Sequence, residues 1–289
     1  MDFLDKFIKK KEQPPEEHSH SLVSSSHPKV ESRKYNLKSL STKDNTEDLS
    51  AYSSQTIGIL DMARTVTQEV FKPYIVLGFD ATHSRSKTWE AAIEMQGELV
   101  DTLVSSGEAK PMLRVAYYSG RNTFHTTKWT EDVLWIQNWM QGIQYEAGFT
   151  QIHRLFKDVR EQIRNKEKHV NILSITFVGD HVDGDIDNSG ELLSLAKEIG
   201  KILPINILHE VGNEKRLTLE ERHAREIFAE IADLSGGHYT TFSHGNYKVM
   251  KDLAKVLVAK SYGPDSKALE TLRNDEKLSQ KAKTLLLEM

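Results

Sequence analysis

The sequence predicts an α/β fold: a doubly wound, mostly parallel sheet with helices on both of its faces. Several apolar runs are continuous rather than alternating, which is typical of strands buried on both faces. Two examples are YIVLGF at 74–79 and NILSITFV at 171–178. Predicted helices separate these runs, and a regular alternation of strand and helix indicates parallel pairing through crossover connections.

The predicted elements follow one another from about residue 50 to the C-terminus. Helices are predicted at roughly 54–71, 87–106, 130–142, 151–166, 189–201, 219–234 and 246–260, with one or two polar helices at about 265–288. Strands are predicted at 74–79, 112–118 (MLRVAYY), 171–178, 203–209 (LPINILH) and 238–242 (HYTTF), with a short extended piece near 123–127. The sequence contains no internal repeat of this pattern.

Composition narrows the class of protein. The chain has 289 residues, of which 38% are hydrophobic and 28% charged, as in ordinary globular proteins. Its net charge of −4 gives no basic field for nucleic acid. The absence of cysteine excludes disulfides and thiolate ligands. No apolar run approaches the roughly 20 residues of a membrane span, and the N-terminus lacks the features of a signal peptide. We therefore expect a cytoplasmic protein.

The two ends of the chain differ from its centre. Residues 12–48 are poor in apolar residues, so we expect a disordered N-terminal arm over 1–48. The arm begins with a short amphipathic stretch whose apolar residues are Phe3, Leu4, Phe7 and Ile8. Residues 1–11 are either a docking peptide, a weak membrane-surface contact or a frayed terminus. The domain itself is expected at 50–262, followed by a helical tail at 263–289, which is either a partner helix or docked on the domain.

Oxygen-bearing side chains follow the predicted strands at the point where ligands bind in open α/β sheets. Asp80, Thr82 and Ser84 follow the first strand, and Asp180 follows NILSITFV. Thr150 lies at the start of a helix in AGFTQI. Two carboxylates and three hydroxyls are hard ligands that suit Mg²⁺ or Mn²⁺. If some of them act through water, one coordination position stays open for a carboxylate of another molecule.

These residues resemble the metal-ion-dependent adhesion site of von Willebrand factor A (VWA) domains. The usual first motif is D-x-S-x-S, and Thr82 keeps the hydroxyl of the serine that it replaces. The usual T-D-G becomes Gly179-Asp180-His181, which keeps the aspartate. The resemblance spans about 72–260, and FDATHSRSKTW, GFTQI, FVGD and SGGHYTTF are similar to a subgroup of soluble bacterial VWA proteins of unassigned function.

The resemblance implies a Rossmann-like VWA fold and a metal-dependent protein-binding function as an adaptor or assembly factor. In this family the hydroxyls and aspartates hold a divalent cation, and an acidic residue of a partner completes its coordination shell. By analogy with bacterial relatives, the partner is expected to be a AAA+ ATPase or a chaperone. No nucleic acid is expected.

Other interpretations of the same residues remain open. Asp80 and Thr82 are also good helix caps. A phosphatase of the haloacid dehalogenase type needs D-x-D-x-T, and Gly78 stands where its nucleophile belongs. The acidic segment at 180–191 fails as a calcium loop, because Asn188 replaces the required glycine. It is interpreted as a solvated loop that ends in a helix cap.

The rival class is a Mg²⁺- or Mn²⁺-dependent hydrolase or phosphotransfer enzyme that uses Asp80, Asp180 and Asp183. Against it, the sequence shows no dedicated general base, phosphate-cradling loop or catalytic Lys or Arg at the strand ends. Two further pairs of residues have expected roles. His209 and Glu210 either line the same crevice or are turn residues. Trp135 and Trp139, four residues apart, are expected to pack in the core.

Overall fold

The computed structural model describes residues 72–82, 85–143, 146–165, 170–183 and 188–288. Its strands are β1 (Tyr74–Asp80), β2 (Met112–Ser119), β3 (Thr123–Thr126), β4 (Ile172–Gly179), β5 (Ile205–Val211) and β6 (Tyr239–Ser243). They form a six-stranded sheet in the order β3-β2-β1-β4-β5-β6. Strand β3 pairs antiparallel with β2, and the other neighbours pair in parallel. The predicted doubly wound, mostly parallel α/β fold class is confirmed.

The sheet order reverses beside β1. The chain moves from β1 through β2 to β3 on one side, and then crosses to β4, β5 and β6 on the other. In register, Asp80 lies beside Tyr118 of β2, and Gly179 lies beside His209 of β5. The carboxyl ends of β1 and β4 therefore meet at the switch point, where open α/β sheets form their ligand crevice.

Helices cover both faces of this sheet. They are α1 (Ser86–Ser105), α2 (Val133–Gln141), α3 (Ile152–Arg164), α4 (Ser189–Ile199), α5 (Leu219–Ser235), α6 (Tyr247–Ser261), α7 (Lys267–Arg273) and α8 (Gln280–Glu288). Helices α1, α2, α6, α7 and α8 share one buried cluster, and α3, α4 and α5 share the other. No helix in the described ranges combines the length and apolar character of a membrane span.

Helix ends and strand ends match the sequence-based expectations closely, with a few informative differences. Helix α2 begins at Val133 rather than near 130, because the Asp132 side chain caps it by accepting a hydrogen bond from the Trp135 backbone. Strand β5 runs two residues further than expected, to Val211. The predicted helix at 54–71 and the arm at 1–48 lie outside the described residues.

Trp135 and Trp139 have different environments, although both were expected to pack in the core. Trp139 is partly buried against the core and lies edge-on to Tyr117, with ring centroids 5.4 Å apart. Trp135 is 38% exposed, and the ammonium of Lys128 lies 5.5 Å from its ring centroid. The core expectation is wrong for Trp135, because α2 is short and buries its Ile136–Met140 face instead.

The C-terminal helices α7 and α8 dock on the domain rather than projecting from it. Their apolar residues join the cluster that contains α1 and α6, including the buried Leu269, Leu272, Leu285 and Leu286. The segment before α8 is also anchored: the Asp252 carboxylate accepts a hydrogen bond of 2.8 Å from the Ser279 backbone N–H. Leu287, one residue beyond Leu286, is 86% exposed.

The adjacent leucines of α8 offer a test of this docking. We expect Leu286→Ala to lower the free energy of unfolding by about 2–3 kcal/mol, because it removes buried methyl groups and leaves a cavity. Leu287→Ala should change it by less than about 0.5 kcal/mol, since that side chain lies in solvent. Urea titrations of both variants measure the difference. Equal values for the two would show that α8 is not docked.

Candidate metal centre

A cleft of about 380 Å³ lies at the carboxyl ends of β1 and β4. Its lining residues are Asp80, Thr82, Gly148, Thr150, Asp180, His181, Asp183, Thr218, Glu220 and Glu221. Four of the five residues proposed from the sequence as cation ligands, Asp80, Thr82, Thr150 and Asp180, therefore share one cleft. The fifth, Ser84, lies outside the described residues.

Asp80 is the last residue of β1 and is buried, with 3% of its surface exposed. One carboxylate oxygen accepts a hydrogen bond of 2.9 Å from the backbone N–H of Thr82. Burial, followed by the charge of Asp180, raises the pKa of Asp80 to about 7, against the opposing effects of Arg85 and Thr82. A carboxyl group in this state gains from a nearby cation that offsets its desolvation.

Asp180 follows β4, and its side chain is 34% exposed. The imidazole of His209, buried beneath it, holds its backbone. Because a carbonyl oxygen only accepts, His209 Nε2–H donates to the Asp180 carbonyl at 3.1 Å, and Nδ1 accepts from the Tyr239 hydroxyl at 2.8 Å. Burial lowers the pKa of His209 to about 4, despite the opposing effect of Asp180. His209 is thus a neutral strand residue that fixes the position of Asp180, not a turn residue.

Thr150 is presented by a loop that is packed against the β2–β3 turn. Gly148 lies so close to Gly120 that a Cβ at Gly148 would sit 1.9 Å from the Gly120 carbonyl oxygen. The Phe149 backbone N–H also donates to that oxygen at 3.1 Å. Thr150 itself is 4% exposed, and its hydroxyl accepts a hydrogen bond of 2.6 Å from the Asp183 backbone N–H. The hydroxyl is therefore tied to the loop that follows Asp180.

The helix-cap interpretation of Asp80 and Thr82 does not describe α1. That helix begins at Ser86, and its N-cap position is occupied by Arg85, whose side chain makes no capping hydrogen bond. The Asp80 carboxylate bonds to the Thr82 backbone ahead of the helix instead. Asp80 and Thr82 therefore line the cleft, and neither is the N-cap residue of α1.

Arg85 and Glu210 are site residues that the sequence analysis missed or left undecided. Both are buried, at 2% and 3% exposure, and Arg85 Nη2 lies 2.9 Å from Glu210 Oε2. Arg85 Nη1 also lies 3.5 Å from Asp180 Oδ1. A cation at a helix N-terminus opposes the helix dipole. At this position the charge of Arg85 is balanced by Glu210 and Asp180, partners that no local pattern in the sequence predicts.

Two further side chains donate hydrogen bonds to Glu210 near the end of β5. The Thr88 hydroxyl donates to its Oε2 at 2.7 Å, and His244 Nδ1–H donates to its Oε1 at 2.7 Å. Burial lowers the pKa of Arg85, but Asp180, Glu210 and Asp80 outweigh this effect, so the net shift is upward. Arg85 and Glu210 thus form a charged pair directly beneath the cleft.

The residues of the cleft fit a hard divalent cation. When ionised, Asp80, Asp180 and Glu210 carry three negative charges against the single positive charge of Arg85, so these four side chains have two negative charges in excess. The hydroxyls of Thr82 and Thr150 add neutral oxygen donors at the same cleft. Carboxylate and hydroxyl oxygens are the ligands that Mg²⁺ and Mn²⁺ prefer. Among the described residues, no group of three or more His, Asp or Glu side chains is placed to hold a metal, so the fit rests on two carboxylates together with hydroxyl oxygens.

The acidic segment after Asp180 is described only in part. Asp183 lines the cleft, and Asn188 caps α4 by accepting a hydrogen bond of 3.2 Å from the Glu191 backbone N–H. This is the helix cap expected from the sequence. Asp185 and Asp187 lie outside the described residues.

Comparison with known proteins gives distant similarities. No family model matches the sequence, and no curated protein gives a significant match. Among solved structures, the conserved hypothetical protein BatB from Bacteroides thetaiotaomicron has 15% identity and a TM-score of 0.48, with 65% of this chain and 98% of that chain covered. A von Willebrand factor type A structure from Catenulispora acidiphila has 11% identity and a TM-score of 0.48, with 66% and 43% covered.

A third similar structure is proximal thread matrix protein 1 from the mussel byssus, with a zinc-occupied MIDAS motif. It has 17% identity and a TM-score of 0.45, with 64% of this chain and 45% of that chain covered. This chain therefore spans less than half the length of the last two proteins. The family named in the second structure is the one that the sequence resembles. Because these similarities are distant, the role of the cleft rests on the chain's own residues.

Proposed function

We propose that this chain is a metal-dependent protein-binding domain of the VWA type. Its cation, Mg²⁺ or Mn²⁺, is held by Asp80, Thr82, Ser84, Thr150 and Asp180, and an acidic residue of the partner completes the coordination shell. The observation that supports this most strongly is the convergence of Asp80 and Asp180 with two threonine hydroxyls at the switch point of the sheet. The bound cation would supply a Lewis-acidic position for the partner's carboxylate.

Charge favours a cation at this point. Asp80 is buried beside Asp180, and its raised pKa of about 7 reflects both its desolvation and the neighbouring carboxylate. Placing positive charge between two such carboxylates removes their repulsion and offsets the cost of burying one of them. Arg85 offsets part of this charge, but it also neutralises Glu210. The cleft is therefore electrostatically incomplete without a further cation.

The surroundings of the cleft favour a protein partner. Phe149, next to Thr150 in the chain, is 38% exposed, and Leu219, between two cleft residues, is 74% exposed. These two side chains supply apolar contact area beside the polar cleft, as the aromatic and aliphatic residues of protein interfaces do. The cleft itself opens at the end of the sheet, where a side chain from another protein can enter.

The proposal also covers the organisation of the chain. We propose an N-terminal arm at 1–48, the VWA-type domain at 50–262 and a helical tail at 263–289 whose helices α7 and α8 pack on that domain. The protein acts in the cytoplasm as an adaptor or assembly factor. A AAA+ ATPase or chaperone is the partner class that this role suggests. The arm adds an independent contact only if its residues 1–11 dock.

Thr150→Ala is expected to weaken cation binding by about tenfold or more, because it removes a hydroxyl donor from the cleft. The protein should remain folded, since the substitution removes little packing. Isothermal titration with Mn²⁺ measures the affinity. Capture of the partner from a lysate, in Mg²⁺ and in EDTA, then measures whether the loss extends to protein binding.

Two variants provide controls for Thr150→Ala. Thr150→Ser keeps the hydroxyl and should bind the cation nearly as well as the wild type. Thr127→Ala removes an equally buried threonine whose hydroxyl also accepts a backbone hydrogen bond, from Val115 at 3.0 Å, but which is not a cleft residue. It should leave the affinity unchanged. If Thr150→Ala binds the cation and the partner as tightly as the wild type, the proposed role of the cleft is wrong.

A second candidate function is a Mg²⁺- or Mn²⁺-dependent hydrolase or phosphotransfer enzyme, since Asp80, Asp180 and Asp183 line the same cleft. The two functions differ in whether the protein converts a substrate. We expect the purified protein to hydrolyse nucleotides, phosphoesters and nucleic acid in Mn²⁺ no faster than a buffer control. Metal-dependent turnover that disappears in Asp183→Ala would favour the enzyme.

A further inference from the structure

The guanidinium of Arg85 is a positive charge built into the acidic end of the sheet. We infer that Arg85 is a positioning residue that sets the cation affinity of the cleft, because it competes with the cation for Asp180 while Glu210 holds it in place. This inference rests on the proposed function. It makes Arg85 the internal counter-ion of the cation-free protein.

The geometry gives Arg85 two unequal acidic neighbours. Glu210 is close, at 2.9 Å from Nη2, whereas Asp180 is 3.5 Å from Nη1. The Glu210 contact is short enough for an ion pair but lacks hydrogen-bond geometry. Within the part of the chain that the structure describes, Nε, Nη1 and Nη2 of Arg85 are all buried without a hydrogen-bond partner. The guanidinium thus retains donors for a carboxylate that comes closer.

The side chain of Asp180 is the less constrained of the two acidic neighbours, although its backbone is held by His209. Its side chain is 34% exposed, whereas that of Glu210 is 3% exposed and is held by Thr88 and His244 as well as by Arg85. A carboxylate cannot give its full charge to a guanidinium and a divalent cation at once. Positive charge at Arg85 therefore weakens cation binding, and this effect is largest when Glu210 does not neutralise it.

The two halves of this ion pair are expected to act in opposite directions. Arg85→Gln removes the competing charge and should tighten Mn²⁺ and Mg²⁺ binding by about tenfold, while lowering the melting temperature in EDTA. Glu210→Gln leaves the Arg85 charge without its neutralising partner and should weaken binding severalfold. A purely structural pair would give weaker binding in both variants, because each would distort the cleft.

A remote ion pair provides the matched control. Arg114 donates to both carboxylate oxygens of Asp158, at 2.9 and 2.8 Å, and is largely buried. It lies four positions before Tyr118, which pairs with Asp80, or about 13 Å along the strand. Arg114→Gln should lower the melting temperature in EDTA without changing the cation affinity.

The measurement is isothermal titration of the full chain with Mn²⁺ and with Mg²⁺, together with melting curves in EDTA. If Arg85→Gln does not fold, the double variant Arg85→Gln/Glu210→Gln replaces it. This double variant keeps the polarity and volume of the pair and should still bind more tightly than the wild type, since the charge nearer Asp180 is removed.

The outcomes separate this inference from the function on which it rests. Tighter binding in the Arg85 variants and weaker binding in Glu210→Gln support it. If the wild type binds the cation and the Arg85 variants bind it equally or more weakly, the role of Arg85 is overturned while the metal site stands. If the wild type binds neither cation, the proposed function is overturned, and the inference with it.

Discussion

Saturating Mg²⁺ or Mn²⁺ is expected to raise the melting temperature of the wild type by about 5–10 °C and to leave that of Asp180→Asn unchanged. A ligand at a hundredfold excess over its Kd stabilises the native state by about 2.7 kcal/mol. In a domain of this size, each kcal/mol shifts the melting temperature by about 2–4 °C. Asp180→Asn keeps the shape of the side chain but removes one of the two carboxylates that attract the cation. Differential scanning fluorimetry measures both proteins in metal and in EDTA.

The same variant should change stability in the opposite direction when the cation is absent. In EDTA, Asp180→Asn relieves the repulsion that Asp180 exerts on the buried Asp80. It also removes the 3.5 Å contact with Arg85, but Arg85 keeps its closer contact with Glu210 at 2.9 Å. We therefore expect Asp180→Asn to be at least as stable as the wild type in EDTA and less stable in Mg²⁺. Identical metal-induced shifts in the two proteins would show that Asp180 is not a ligand.

The fold could be predicted from the sequence because its strands are apolar runs that need both faces covered. YIVLGF became β1 within one residue, and NILSITFV became β4 with the same accuracy. The antiparallel pairing of β3 could not be predicted, because a four-residue edge strand has too few residues to show a pattern. The two polar residues at the end of β5 were also difficult. His209 and Glu210 indicate a turn until their buried partners are known.

The candidate site was predictable where its residues follow strands in the chain and not where partners come from distant positions. Asp80 and Asp180 end two neighbouring strands, so their proximity follows from the fold class. Thr150 was proposed from its place at the start of a predicted helix, but its position at the cleft depends on the Gly148–Gly120 contact, which the sequence does not show. The Arg85–Glu210 pair joins residues 125 positions apart in the chain. No local pattern predicts such a contact.

The contribution of Asp80 to stability in EDTA should fall as the pH rises from about 4 to about 7. Its pKa is raised from 3.8 to about 7 in the folded protein, so the folded state holds a proton that the unfolded state releases. The stabilising contribution of the protonated form is complete below pH 3.8 and is lost as the pH passes through about 7. The expected slope of this contribution is about 1.4 kcal/mol per pH unit across the window, whereas His209, whose pKa is lowered from 6.5 to about 4 in the folded protein, contributes an opposite slope below pH 6.5. Urea titrations at half-unit intervals of pH measure it.

Asp80→Asn isolates this contribution from those of other titrating groups, since the amide keeps the volume of the side chain and does not ionise. In EDTA, the difference in unfolding free energy between wild type and Asp80→Asn should change with pH by the slope given above. In saturating Mg²⁺ the sign should reverse, because the cation binds the ionised carboxylate and competes with the proton. Wild type would then gain stability relative to Asp80→Asn as the pH rises. If this free-energy difference does not depend on pH in EDTA, Asp80 ionises with an ordinary pKa. If its pH dependence is the same in Mg²⁺ and in EDTA, the Asp80 carboxylate does not bind the cation.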